Sequence, residues 1–186
     1  MGIVPSRTLA TVWEKLDDDT KRRLCANTWS FITKIREIDR PPECSRAFQC
    51  SADGSTTHDP LIKDLEKPPR PTLSDDALRV RTHERQLHYG GQRYAEELPN
   101  MLPRSSSSVF THADIAPRNI MVDEQYRITG IIDWEAAGWY PDYWGYANIM
   151  RPACRRGDWQ EYMDRAAPQS LKCNLEGIKA ARRVLF

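Results

Sequence analysis

Two neighbouring segments in the second half of the chain restrict its fold more than any other feature. The first, "FTHADIAPRNIMV", spans residues 110–122, and the second, "GIIDWEAAGWYP", spans residues 130–141. β-Branched residues recur in both segments and favour extended strands, while the polar residues 123–125 between them favour a turn. The two segments therefore predict a small β-hairpin that is flanked by polar side chains.

The register of this hairpin brings an amide and a carboxylate near each other. If Val122 pairs with the start of the second strand, Asn119 lies opposite residues 130–131, and Asp133 follows two or three residues further along. At a rise of about 3.3 Å per residue, the two side chains are then roughly 7–10 Å apart along the sheet. One metal-bound phosphate cluster can span that gap.

These residue types suit the chemistry of a hard cation. Mg²⁺ prefers oxygen ligands, usually one or two carboxylates with substrate phosphates and water, and Asn119 and Asp133 offer such oxygens. Asp114, in a loop that Pro117 stiffens, is then free to accept a proton from an attacking hydroxyl. This division of labour suits phosphoryl transfer. The alternative is that Asp114 and Asn119 are ordinary turn residues, since both types favour loops.

The run "HADIAPRN" followed by "GIIDWEAAGWYPDYW" resembles the signature of the aminoglycoside phosphotransferase and choline kinase-like family, particularly its fungal members. The resemblance implies ATP-dependent transfer of the γ-phosphate to a small-molecule hydroxyl, with Mg²⁺ as cofactor. It implies that Asp114 is the catalytic aspartate and that His112 braces the catalytic loop. It also implies that Asn119 and Asp133 are the magnesium ligands.

Helical periodicity is typical of most of the remaining chain. Helices are predicted from apolar spacing at residues 8–16, 17–38, 75–98 and 157–167, after Pro141 and at the C-terminus. Residues 40–75, rich in proline, serine and charge, are predicted to be a long loop or insertion. The expected fold is a single α+β domain over residues 1–186, a protein-kinase-like C-terminal lobe. It is mainly helical, with one catalytic and metal-binding hairpin at 110–135.

The family that the chain resembles has an N-terminal lobe that covers ATP and supplies a phosphate-contacting lysine. No glycine-rich loop and no lysine-bearing strand precede the first predicted helix, and Lys15, Lys21 and Lys34 lie on predicted helices. The nucleotide lobe is therefore expected to be absent. Two hypotheses stay open: a small-molecule kinase, and a catalytically inactive remnant or binding subunit that needs a partner lobe or a second copy.

The composition argues against several other classes of protein. The chain has 27 basic and 26 acidic residues and a formal net charge of +1, whereas a nucleic-acid-binding protein needs a concentrated basic surface. Its five cysteines show no zinc-ligand spacing and form an odd set, which predicts reduced thiols in a cytoplasmic protein. No segment is long enough to span a membrane, so no membrane partner is expected. The partner that the family resemblance implies is a small-molecule hydroxyl acceptor.

Overall fold

The computed structural model describes residues 6–151 and 157–184. Its α-helices are α1 (Asp18–Arg36), α2 (Asp75–His88), α3 (Leu98–Met101), α4 (Trp144–Ile149), α5 (Trp159–Ala166) and α6 (Glu176–Arg182). Its strands are β1 (Arg7–Thr8), β2 (Cys50–Ser51), β3 (Ser108–Thr111), β4 (Ile120–Val122), β5 (Ile128–Ile131) and β6 (Gly138–Pro141). Short 3-10 helices lie at Leu9–Thr11, Trp13–Lys15, Pro42–Cys44, Pro117–Asn119 and Gln169–Leu171.

Helix α1 forms where the apolar spacing predicts it. The Asp17 carboxylate accepts a hydrogen bond of 2.7 Å from the Thr20 N–H and so caps the first turn. Leu24, Trp29 and Ile32 are buried on the inner face. The helix ends at Arg36, two residues earlier than predicted, with Glu37 as its C-cap.

The predicted helix over residues 8–16 is wrong. The segment forms the short strand β1 and then two 3-10 turns, with Val12 between them at φ −120°. The extended backbone of Thr8 is compatible with a helix N-cap, so the break lies at Val12, whose backbone departs from helical geometry between the two turns. Leu9 and Trp13 are nevertheless buried, so the apolar spacing identified core residues correctly.

Two three-stranded antiparallel sheets replace the single hairpin that was predicted. The hairpin itself is present as β4 and β5, and β1 joins it to give the order β1–β4–β5. The second sheet has the order β2–β6–β3 and was not predicted. Gly138 on β6 allows β2 to approach closely, because any residue with a Cβ atom there would place it 2.3 Å from the Cys50 carbonyl oxygen.

The long segment between α1 and α2 is held against α2 by arginines. Arg79, Arg81 and Arg85 are buried on this helix and donate hydrogen bonds to backbone carbonyls of neighbouring loops. The fully buried Asp64 carboxylate pairs with Arg70 at 2.8 Å and lies 3.4 Å from Arg81. This polar network orders a segment that has few apolar residues of its own. Helix α2 ends at His88, well short of residue 98.

Two hydrophobic clusters meet on either side of the loop that follows β3. One lies between α1, α5 and the first sheet and includes Trp29 and Met163, and the other includes Ile178 on α6. Ile115 packs into the first cluster and Ala113 into the second. Asp114, between them, is therefore anchored from both sides. None of the described helices is both long and apolar enough to cross a lipid bilayer.

Candidate functional site

The candidate site lies where the loop after β3 meets the end of β5. Ala113 in that loop has φ +64°, and Asp133 just beyond β5 has φ +68°. Left-handed backbone at residues other than glycine costs about 1–3 kcal/mol and concentrates at functional sites. Ala113 falls inside the first sequence motif and Asp133 inside the second.

His112 connects the two motifs. Its side chain is only 1% exposed. The Nε2–H donates to the Ile132 carbonyl at 3.0 Å, while Nδ1 accepts from the Asp114 backbone N–H at 3.2 Å. A carbonyl can only accept and a backbone N–H can only donate, so Nε2 carries the proton, Nδ1 carries none, and the imidazole is neutral. Burial lowers the pKa of His112, against the opposing effects of the Ile132 carbonyl and nearby carboxylates. The neutral ring thus links the Asp114 loop to the residue before Asp133.

Asn119 is tied to the same two segments. The side chain is 4% exposed, and its Nδ2 donates to the Asp114 backbone oxygen and to Asp114 Oδ2, both at 2.9 Å. Its backbone carbonyl accepts from the Ile132 N–H at 2.9 Å. No residue in the described part of the chain donates a hydrogen bond to Asn119 Oδ1. The amide oxygen is therefore available to a cation.

A β-bulge shifts the register between the segments that carry Asn119 and Asp133. Ile120 pairs with Ile131, and the register shifts between Met121 and Val122. Asn119 consequently lies opposite Ile132 rather than residues 130–131. Asp133 follows one residue later instead of two or three. The sequence-based register is therefore wrong by at least one residue.

Asp133 presents an exposed carboxylate on a fixed backbone. Its side chain has no hydrogen bond or ion pair with any residue in 6–151 or 157–184. The adjacent Trp134 donates from Nε1 to the Ile131 carbonyl at 2.8 Å and packs against His112 with ring centroids 4.5 Å apart. These contacts hold the Asp133 backbone while its carboxylate stays accessible.

Asp114 differs from the sequence expectation, because its carboxylate is not free. Arg118 Nη2 lies 2.7 Å from Oδ1 and 2.5 Å from Oδ2, and Arg151 Nη2 lies 2.5 Å from Oδ1. Partial burial alone would raise the pKa of Asp114, but Arg118 and Arg151 together hold that pKa below its ordinary value. The group is therefore an ionised carboxylate within a shared ion pair.

The two arginines were missed by sequence reasoning. Arg118 comes four residues after Asp114, and the 3-10 turn at Pro117–Asn119 returns its side chain towards the carboxylate. That spacing carried a signal that could have been used. Arg151 lies 37 residues from Asp114 in the chain. Only the placement of α4 brings Arg151 there, so no local pattern could have identified it.

The oxygen donors present fit a hard cation that is held only partly by protein. Among the residues that the structure describes, no group of three or more His, Cys, Asp or Glu side chains could enclose a metal. Asn119 Oδ1, just before β4, and the Asp133 carboxylate, just beyond β5, are two oxygen atoms that could hold such a cation. Mg²⁺ usually keeps several waters and takes one or two carboxylates plus substrate phosphates, so two protein oxygens are compatible with a Mg²⁺ site.

Comparison with models of protein families gives a match. The family model described as the phosphotransferase enzyme family, APH, matches residues 1–173. A search of curated proteins finds no match. The matched residues include both motifs and all four side chains that the sequence singled out.

Proposed function

Because the chain belongs to the phosphotransferase enzyme family, we propose that it transfers the γ-phosphate of ATP to the hydroxyl group of a small molecule, with Mg²⁺. One observation carries this proposal: His112 and Asn119 both bond to the backbone of Ile132, beside Asp133. That junction unites a candidate base with two candidate metal ligands. We also assign the described helices and two small sheets to the C-terminal lobe of a kinase-like fold.

Each side chain has a distinct role in this reaction. Asp114 orients the acceptor hydroxyl and accepts its proton, a contribution that is typically about 10²–10⁴-fold in rate. Asn119 Oδ1 and the Asp133 carboxylate hold the cation, which when bound neutralises charge on the phosphates. His112, being neutral, fixes the geometry between Asp114 and Asp133 and adds no positive charge.

A second function is favoured by the state of Asp114. Its carboxylate is paired with Arg118 and Arg151 in this structure, so it does not accept a proton while both arginines stay in place. A nucleotide-binding subunit without chemistry, which works beside a partner lobe or a second copy of the chain, would use the same cation and phosphate contacts. Both functions require binding of the nucleotide with the cation, but only the kinase transfers the phosphate.

Calorimetry with Mg²⁺ and ATP on the full chain tests the shared part of both functions. We expect Mg²⁺-dependent binding that weakens about 10–100-fold in Asp133→Asn, since removing a charge-assisted contact costs about 1.5–3 kcal/mol. Glu124→Gln is the matched control, because Glu124 is an exposed carboxylate in the turn of the same hairpin. Equal binding by wild type and Asp133→Asn would contradict the proposed metal site.

Phosphoryl transfer then separates the kinase from the binding subunit. A panel of polyhydroxylated and cationic alcohols is incubated with protein, ATP and Mg²⁺, and ³¹P NMR follows the new phosphate esters. We expect an ester product with wild type and a rate at least about 10²-fold lower with Asp114→Asn. Tight Mg²⁺–ATP binding with no ester and no loss of ATP would favour the binding subunit.

A further inference from the structure

Two arginines from distant parts of the chain converge on one carboxylate. Arg118 follows Asp114 in the same loop, whereas Arg151 follows α4, and both reach Asp114 Oδ1 through Nη2. Two guanidinium groups that share one oxygen atom must lie close together. Their combined charge exceeds that of the single carboxylate between them, so this part of the site carries surplus positive charge.

Both arginines retain unused hydrogen-bonding capacity. The Arg118 side chain is 59% exposed and that of Arg151 is 39% exposed. Arg118 Nε and Nη1 donate to no residue in the described ranges. Arg151 Nε donates to the Asn148 carbonyl at 3.2 Å, which fixes the side chain at the end of α4. A guanidinium normally binds an anion through two parallel N–H groups, and neither arginine binds Asp114 in that way.

We propose that Arg118 and Arg151 form the phosphate clamp of this site, and that the phosphates of the nucleotide release Asp114 by drawing both arginines away from it. The identity of the ligand rests on the proposed function. A polyphosphate carries more charge and more oxygen atoms than one carboxylate, and its geometry matches the guanidinium fork. After the exchange, Asp114 keeps its hydrogen bond from Asn119 and can meet the acceptor hydroxyl.

Lys21, a buried cation in the first part of the chain, is already paired and is a poor candidate for binding phosphate. Lys21 is buried on α1 and pairs with Asp158 at 2.8 Å, with its ammonium group near the Trp13 ring. By contrast, the side chains of Arg118 and Arg151 are 59% and 39% exposed, whereas that of Asp114 is 19% exposed. A phosphate can therefore reach both arginines from solvent, and it competes with Asp114 because it offers them more charge and more oxygen atoms.

Binding of inorganic tripolyphosphate without Mg²⁺ tests the clamp apart from the metal site. We expect Arg118→Gln and Arg151→Gln each to weaken the binding about tenfold, the loss of one charge-assisted contact. Arg165→Gln is the matched control, because Arg165 makes an i,i+4 ion pair with Glu161 and is 63% exposed. Unchanged binding in both test variants would overturn the proposal. Circular dichroism checks folding, and Arg151→Lys replaces Arg151→Gln if the latter unfolds.

The exchange itself makes a prediction that a merely structural ion pair does not. Asp114→Asn removes the competing carboxylate, so tripolyphosphate should bind more tightly, by about tenfold. The gain should vanish in the Arg118→Gln/Arg151→Gln background. Weaker or unchanged binding by Asp114→Asn would overturn the release of Asp114 by phosphate.

A competition experiment tests whether the two arginines bind the phosphates of the nucleotide. ATP should displace tripolyphosphate at lower concentration than glycerol phosphate does, and the reverse order would overturn the assignment to the nucleotide. The clamp and the proposed function can fail separately. Tripolyphosphate binding that depends on both arginines supports the clamp even if Mg²⁺ and Asp133 have no effect on ATP binding.

Discussion

Replacement of His112 is the most informative perturbation of the scaffold beneath the site. His112→Phe keeps an aromatic ring of similar size but removes the Nε2–H bond to Ile132 and the Nδ1 acceptor for the Asp114 N–H. Each lost hydrogen bond costs about 1 kcal/mol, and a buried group left without a partner costs about 1–3 kcal/mol. We expect a loss of roughly 2–4 kcal/mol from a total stability of about 5–15 kcal/mol.

The assay is urea unfolding at neutral pH, with thermal unfolding as a second measure. For a chain of this length, about 1 kcal/mol shifts Tm by about 2–4 °C, so Tm should fall by roughly 5–15 °C. His112→Gln keeps an amide donor for Ile132 and should lose less stability than His112→Phe. A change within about 0.5 kcal/mol for His112→Phe, the range of ordinary surface substitutions, would refute the bracing role.

The same residue has a defined pH dependence. Burial lowers the pKa of His112 in the folded protein, so below about pH 6.5 the unfolded chain binds more protons than the folded one at this position. Stability should therefore fall as the pH drops below about 6.5, and His112→Phe should lose that component. His58→Gln is the control, since His58 is exposed. An identical pH dependence in wild type and His112→Phe would show that His112 is not held neutral.

Further predictions concern the stability of the folded chain. Asp64→Asn should destabilise the protein by about 3–5 kcal/mol in urea unfolding, because it leaves Arg81 buried without its carboxylate. Bonds from Arg70 lower the pKa of Asp64, so its stabilising effect should be present above about pH 3.9 and lost as the pH falls below it. Gly138→Ala should cost about 1–3 kcal/mol, because its Cβ atom would lie 2.3 Å from a backbone oxygen. Gly130→Ala, which has open space around it, should unfold at nearly the wild-type urea concentration.

Local patterns predicted the parts of the fold that local forces determine. The α1 helix follows from apolar spacing and from the Asp17 cap, and the hairpin follows from β-branched runs on either side of a polar turn. The second sheet pairs β6 with β2 far earlier in the chain. A four-residue strand carries too short a pattern to reveal such a partner.

The site shows the same division between local and distant determinants. Asn119 lies just before β4 and Asp133 just beyond β5. The register predicted between them was wrong by at least one residue, because a bulge depends on backbone packing that the residue types do not reveal. Outside the site, the apolar stripe of helix α2 is thin because the helix buries three arginines where apolar residues are usual. Arg151 reaches Asp114 only after α4 has packed.

Localisation of the bound cation tests the proposed site most directly. Mn²⁺ replaces Mg²⁺ in the presence of ATP, and paramagnetic broadening of ¹H–¹⁵N NMR signals reports which residues lie near it. We expect the Asn119 side-chain amide and the Asp133 and Trp134 backbone amides to broaden first, while Glu124 in the hairpin turn stays sharp. Broadening that leaves Asn119 and Asp133 unaffected, or that is equal throughout the chain, would contradict the assignment of these residues as the metal ligands.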